Sequence, residues 1–150
     1  MEFEGLDEAE LGELAAKVAG YLQPGDVVVL SGEVGSGKTT FVRAAARSLG
    51  VEERVTSPTY QIARSYTGAA GWHATIVNHL DLYRLEALED KDALELDDYL
   101  DPEAITFVEW ASRDALDLMD GPTVVLISHQ TPTTRRLSLR GPVARRLAEC

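Results

Sequence analysis

Eight consecutive residues, Gly32-Glu33-Val34-Gly35-Ser36-Gly37-Lys38-Thr39, satisfy the pattern G-x-x-x-x-G-K-[ST] without a mismatch. The pattern is a device for holding phosphate. Glycines at 35 and 37 let backbone N–H groups turn inward toward phosphate oxygens, because no side chain obstructs them. A helix starting near Lys38 adds the positive end of its dipole. The Lys38 ammonium brings a full charge to the β- and γ-phosphates, and the Thr39 hydroxyl can ligate magnesium. Glu33, Val34, Gly35, Ser36, Gly37, Lys38, Thr39 and Thr40 are therefore the expected contacts of a nucleoside triphosphate. A glycine-rich turn that matches by accident is the competing reading. The flanks argue against it: Asp26-Val27-Val28-Val29-Leu30 is a buried-strand run, and Thr40 to Leu49 has helical periodicity.

A magnesium nucleotide usually needs a carboxylate at the end of a neighbouring strand. Glu109 follows the apolar run Ile105-Thr106-Phe107-Val108, and Asp81 follows Ile76-Val77-Asn78-His79-Leu80. Any strand can end in a solvated acid. Beside a phosphate loop, one of these two is expected to hold the metal or position the attacking water. Trp110 either covers the site or belongs to the core. His79 either contacts phosphate or is a hydrogen-bonded structural histidine. His73 and His129 lack metal-ligand spacing with any partner. Arg84 is a phosphate clamp or the surface partner of Glu86 or Glu89. Thr59 sits in Ser57-Pro58-Thr59-Tyr60, shortly after the nucleotide-binding helix. Phosphate-loop proteins often keep there a switch ordered by the γ-phosphate and its magnesium. A plain Ser-Pro turn is the alternative.

The elements that must carry these residues alternate. Asp7-Glu8-Ala9-Glu10 fits a capping box, and Leu11, Leu14, Ala15, Val18 and Leu22 then line one helix face until Pro24-Gly25-Asp26. Asp26 to Leu30 is a strand. The helix after the phosphate loop buries Phe41, Val42, Ala45 and Leu49 and is closed by Gly50. Strands are expected near Gln61 to Tyr66, Ala74 to Leu82, Ile105 to Val108, Val124 to Ser128 and Arg136 to Leu139. Thr67 to Gly71 reads as a small-residue turn. A short helix is expected within Ala87 to Leu100, and a last helical turn at Val143 to Ala148. This is an α/β pattern with a mixed, mostly parallel central sheet and antiparallel additions.

The chain has 150 residues, no internal repeat and no long linker, so it reads as one domain, residues 1–150. Its net charge of −11 repels nucleic acid and anionic membranes over long range. Arg135, Arg136 and Arg140 are the best candidates for a local basic patch, with a solvated strand and turn as the plainer reading. One cysteine, Cys150, cannot form an internal disulfide. The N-terminus has no signal-peptide pattern and no apolar run reaches the ~18 residues of a membrane span, so a cytoplasmic location is expected.

Four blocks together resemble the TsaE (YjeE) family of small bacterial ATPases of transfer-RNA threonylcarbamoyladenosine synthesis. They are Gly32 to Phe41, then Thr56-Ser57-Pro58-Thr59-Tyr60, then His79-Leu80-Asp81-Leu82-Tyr83-Arg84-Leu85, then Val108-Glu109-Trp110. The phosphate loop alone is generic, and the combination in this order is specific. The resemblance implies a single-domain phosphate-loop ATPase with ATP and magnesium as ligands. It implies that Thr39 and Glu109 hold the metal, that Asp81 supports hydrolysis, that the Thr59 loop is a switch, and that Trp110 lies close to the nucleotide. It also implies a partner complex of TsaD and TsaB, in which TsaD modifies the adenosine and ATP turnover on the small subunit resets the assembly. The chain departs from the pattern in lacking a proline after Glu109-Trp110 and in the Gly/Ala-rich stretch Thr67 to His73. Two other readings compete. A small-molecule kinase shares the loop, but the only lid-like segment, Glu86 to Leu100, carries Lys91 as its sole base. A nucleotide-gated docking module would use ATP to order the Thr59 loop, with hydrolysis incidental.

Overall fold

The computed structural model describes residues 1–33, 35–55, 63–70, 73–82, 100–109, 119 and 121–149, with backbone alone at 63, 69–70 and 73–75. All structural statements below concern these residues. Strands are β1 (Glu2–Leu6), β2 (Val27–Gly32), β3 (Ala63–Ala70), β4 (His73–Asp81), β5 (Ala104–Glu109), β6 (Thr123–Thr131) and β7 (Thr134–Arg140); helices are α1 (Glu8–Ala19), α2 (Lys38–Ser48) and α3 (Pro142–Ala148). They build one seven-stranded sheet in the order β1-β7-β6-β2-β5-β4-β3.

The four central strands, β6, β2, β5 and β4, run parallel, while β3 on one edge and β7 with β1 on the other are antiparallel. The α/β class with antiparallel additions is thus borne out. Strand β5 is buried at every position, which is why Ala104 to Glu109 reads as an almost unbroken apolar run. On the face that packs the helices, Val28, Leu30, Val77, Ile105, Phe107, Val125 and Ile127 meet Leu11, Val18, Phe41 and Val42 in one core. Fully burying each such leucine or phenylalanine contributes about 1.5–3 kcal/mol.

Helix α1 starts as its capping box requires. Asp7 Oδ1 accepts from Glu10 N at 2.8 Å, and Glu10 Oε1 accepts from Asp7 N at 3.3 Å. It ends at Ala19, so Leu22 packs half-buried beyond the helix rather than on its face. At the other end of the chain, Arg146 of α3 closes on Asp26, the residue before β2, at 2.6 and 3.2 Å, and also donates to Tyr21 O at 2.8 Å. That bond raises the Arg146 pKa above its ordinary value. The latch ties the C-terminal helix to the foot of the strand that feeds the phosphate loop.

Two expectations need correction. Thr67 to Ala70 is not a turn: β3 runs through it, pairing Thr67 with Ile76 and Gly68 with Thr75. The small residue marks a close approach instead. A Cβ on Gly68 would lie 2.4 Å from Leu49 O, and Val51 forms an isolated bridge to Gly68. The N-terminus, read only for its lack of a leader, forms β1, paired with β7. Gly71, Gln61 and the helix expected within Ala87 to Leu100 lie outside the described residues, apart from Leu100 itself. None of the described helices is long and apolar enough to cross a membrane.

Candidate functional site

The parallel strands β2, β5 and β4 end side by side, with Leu30 beside Glu109 and Glu109 beside Asp81. That edge, at the carboxyl ends of the strands, is where open α/β sheets bind ligands. The phosphate loop leaves it between β2 and α2. Gly35 (φ +75°) and Gly37 (φ +112°) hold left-handed conformations that other residues adopt only with strain. A Cβ on Gly37 would also come within 2.7 Å of Leu11 Cδ2, so α1 packs directly on the loop.

Lys38 is 5 % exposed and donates to the loop's own carbonyls, Gly32 O at 2.8 Å and Glu33 O at 2.9 Å. Burial lowers its pKa below the usual 10.5, and the charges of Glu109 and Asp81 oppose that shift. A concentrated positive charge thus sits at the mouth of the loop with two carboxylates around it. Thr39 Oγ1 lies 3.3 Å from both Glu109 oxygens. The Ser36 hydroxyl is buried without a hydrogen-bond partner among the described residues. A hydroxyl, a carboxylate and room for phosphate oxygens form the hard-oxygen set that magnesium prefers when it travels with a nucleotide. Among the described residues no three His, Cys, Asp or Glu side chains are placed to hold a metal ion by themselves, and a nucleotide-borne ion needs only one or two carboxylates.

His79 settles into its structural alternative. It is fully buried on β4, and its Nε2 lies 2.5 Å from Glu109 Oε2. Lys38, Thr39, Asp81 and Glu109 come together at the strand ends. Gly35, Ser36, Gly37 and Thr40 line a cavity of about 410 Å³ beside them. Its other walls are Glu8 and Leu11 of α1 and Pro132, Thr133 and Arg135 of the β6–β7 hairpin. It continues from the phosphate loop and is large enough for a base and ribose. Val34, Thr59, Arg84 and Trp110 lie outside the described residues.

Arg135 is the residue that sequence reasoning misplaced. It is half-buried, and it braces the phosphate loop from the hairpin, donating from Nε to Ser36 O at 3.0 Å and from Nη2 to Gly35 O at 3.4 Å. No motif links positions 99 residues apart. Arg136 instead pairs with Glu4 at 3.0 Å on the surface, and Arg140 is exposed. Holding these carbonyls outward keeps the loop's N–H groups inward. Arg135→Ala is expected to weaken nucleotide binding about 5- to 30-fold, the equivalent of 1–2 kcal/mol. Arg135→Lys should restore it only in part, since an ammonium lacks the planar fork whose Nε and Nη2 reach the two carbonyls. Nucleotide titration of the three proteins checks this, and equal affinities would refute it.

The model of the threonylcarbamoyl adenosine biosynthesis protein TsaE matches residues 6–137. The TsaE protein of Bacillus subtilis is 33% identical over 111 residues, covering 74% of this chain and 66% of that protein, just under two thirds of its length. That of Streptomyces coelicolor is 38% identical over 109 residues, covering 72% of each. That of Treponema pallidum is 34% identical over 112 residues, covering 75% of this chain and 77% of the relative. The crystal structure of Bacillus subtilis YdiB superposes with a TM-score of 0.72 over 99% of this chain and 89% of that one, at 24% identity, which speaks for the fold.

Proposed function

The chain belongs to the TsaE family, and from that premise we propose that it is a single-domain, magnesium-dependent ATPase of transfer-RNA threonylcarbamoyladenosine synthesis. It acts in the cytoplasm with a partner complex of TsaD and TsaB and supports turnover of threonylcarbamoyl transfer. One observation carries the reading: the buried Lys38 ammonium and the facing Thr39 and Glu109 oxygens converge where the phosphate loop opens.

In this reading the loop N–H groups and Lys38 bind and orient the β- and γ-phosphates. Thr39 and Glu109 hold the cation, which when bound neutralises charge on the phosphate oxygens. Asp81, beside Glu109 in the sheet, orients the attacking water. The family resemblance assigns the Thr59 segment the role of a switch and Trp110 a place near the nucleotide. The catalytic work is positioning and charge, as phosphoryl transfer to water requires. The net charge of −11 suits a subunit that docks on protein and meets transfer RNA only indirectly.

The deciding experiment is ATP hydrolysis by the purified protein, alone and with a matched TsaB–TsaD pair, with Lys38→Ala as control. Weak hydrolysis alone, strongly stimulated by the pair and absent in the variant, is the expected result. Hydrolysis that the pair leaves unchanged would overturn the assignment. Transfer of the phosphoryl group to a metabolite would favour the kinase reading in its place.

A further inference from the structure

We propose that His79 is a positioning residue: it holds the Glu109 carboxylate in the one orientation that serves a divalent cation. It thereby governs cation affinity and leaves nucleotide affinity alone. The proposal rests on the assignment of Thr39 and Glu109 as the cation's ligands.

His79 and Glu109 stand on adjacent strands. His79 pairs with Phe107 and Asp81 with Glu109, so all of these side chains lie on the sheet face that α2 covers. His79 is 0% exposed and Glu109 is 2% exposed. Among the described residues, Glu109 is the one hydrogen-bond partner of the His79 ring, and Nδ1 has none. A buried imidazole with an unpaired nitrogen is costly to keep in a core, where an apolar side chain of similar volume would pack without that penalty. What histidine supplies here is the bond from Nε2 to Glu109 Oε2. In that bond the ring donates from Nε2 and the carboxylate accepts.

The consequence falls on Glu109. A glutamate side chain loses rotamer freedom when it is fixed. His79 fixes it before any ligand arrives. The ring engages Oε2 and not Oε1, while the Thr39 hydroxyl lies 3.3 Å from both oxygens. Lys38, by contrast, donates to Gly32 O and Glu33 O of its own loop.

The test is a magnesium titration of the intact protein binding a non-hydrolysable ATP analogue, followed by calorimetry, with a parallel measurement in EDTA. Loss of an outer partner of this kind typically lowers metal affinity by 10- to 100-fold. His79→Leu is expected to raise the magnesium concentration at half-effect by about that factor, with affinity in EDTA unchanged within ~3-fold. His79→Gln puts its amide nitrogen near the position of Nε2 and should stay within a few-fold of the wild type. His79→Asn places its nitrogen near Nδ1, out of reach, and should behave like the leucine variant; it answers the question if His79→Leu does not fold. Equal magnesium dependence in wild type, His79→Leu and His79→Asn would overturn the role of His79 alone. So would a parallel loss of affinity in EDTA, which marks a general structural role. A wild type that binds the analogue equally well with magnesium and with EDTA would overturn the ligand assignment and this proposal together.

Discussion

Lys38→Ala is expected to bind ATP at least ~100-fold more weakly than the wild type, with a folded structure that ATP no longer stabilises. The ammonium is the one full positive charge inside the loop, and hydrogen bonds to a charged group contribute about 1.5–3 kcal/mol each. Two phosphates share it, so a loss near 3 kcal/mol, or ~100-fold, is the lower bound. A ligand at 100 times its dissociation constant raises folding stability by about 2.7 kcal/mol. The variant should lose nearly all of that at the same ATP concentration. Calorimetry and thermal unfolding with and without ATP would decide it, and an undiminished ATP-induced rise in Tm would contradict it. Lys38 also donates to Gly32 O and Glu33 O, so the variant loses a brace of the loop together with its charge.

Burial gives Lys38 a pH signature of its own. Its pKa in the fold lies below 10.5, whereas the unfolded chain holds the proton up to about that value. In the alkaline window between the two, the unfolded chain binds more protons, so this residue's contribution to stability rises with pH. Below the window the charged, partly desolvated lysine is a standing cost to the nucleotide-free fold. Glu109 and Asp81 limit that cost, and phosphate oxygens would remove more of it. The phosphate grip follows the opposite sign and weakens as Lys38 loses its proton.

How much of this was open to reading depends on how local each interaction is. The phosphate loop was legible because its strand, turn and helix are contiguous, and because its glycines and lysine act within the same eight positions. The capping box at Asp7 and Glu10 was legible for the same reason. Glu109 and Asp81 could be picked out as strand ends, since the apolar runs before them are strands buried by their neighbours. That they lie side by side is a matter of strand order, which hydrophobic patterning does not encode. Glu2 to Leu6 becomes a strand through pairing with residues near 138, and its own alternation is too short, with Gly5 inside it, to signal that. Gly68 looked like a turn because glycine permits one; what demands it is the backbone of Leu49 passing overhead. Arg135 was judged by its charge and its basic neighbours, while its work is on two carbonyls in a loop far back in the chain.

Glu109→Gln carries the other large effect. The substitution keeps the length and shape of the side chain, and its carbonyl oxygen can still accept from His79 Nε2, so the buried imidazole retains a partner. What it removes is the negative charge beside Thr39 Oγ1 and near Lys38. Losing one preorganised electrostatic group of this kind costs about 10²–10³ in rate, ~2.7–4 kcal/mol. Magnesium-dependent hydrolysis should fall by that factor while ATP binding in EDTA holds or improves slightly, since an anion no longer faces the phosphates. Glu109→Ala should lose as much activity and also destabilise the fold by about 1–3 kcal/mol, because it strands His79 without its one described partner. The pair of variants therefore splits charge from packing, with denaturant unfolding reading the second and steady-state hydrolysis the first. Carried into the complete system, Glu109→Gln also separates a working ATPase cycle from a nucleotide-gated docking module. Intact docking on the TsaB–TsaD pair with transfer-RNA modification lost means that turnover is needed. Intact docking with modification preserved means that ATP acts by binding alone, and hydrolysis through Glu109 would lose its assigned role.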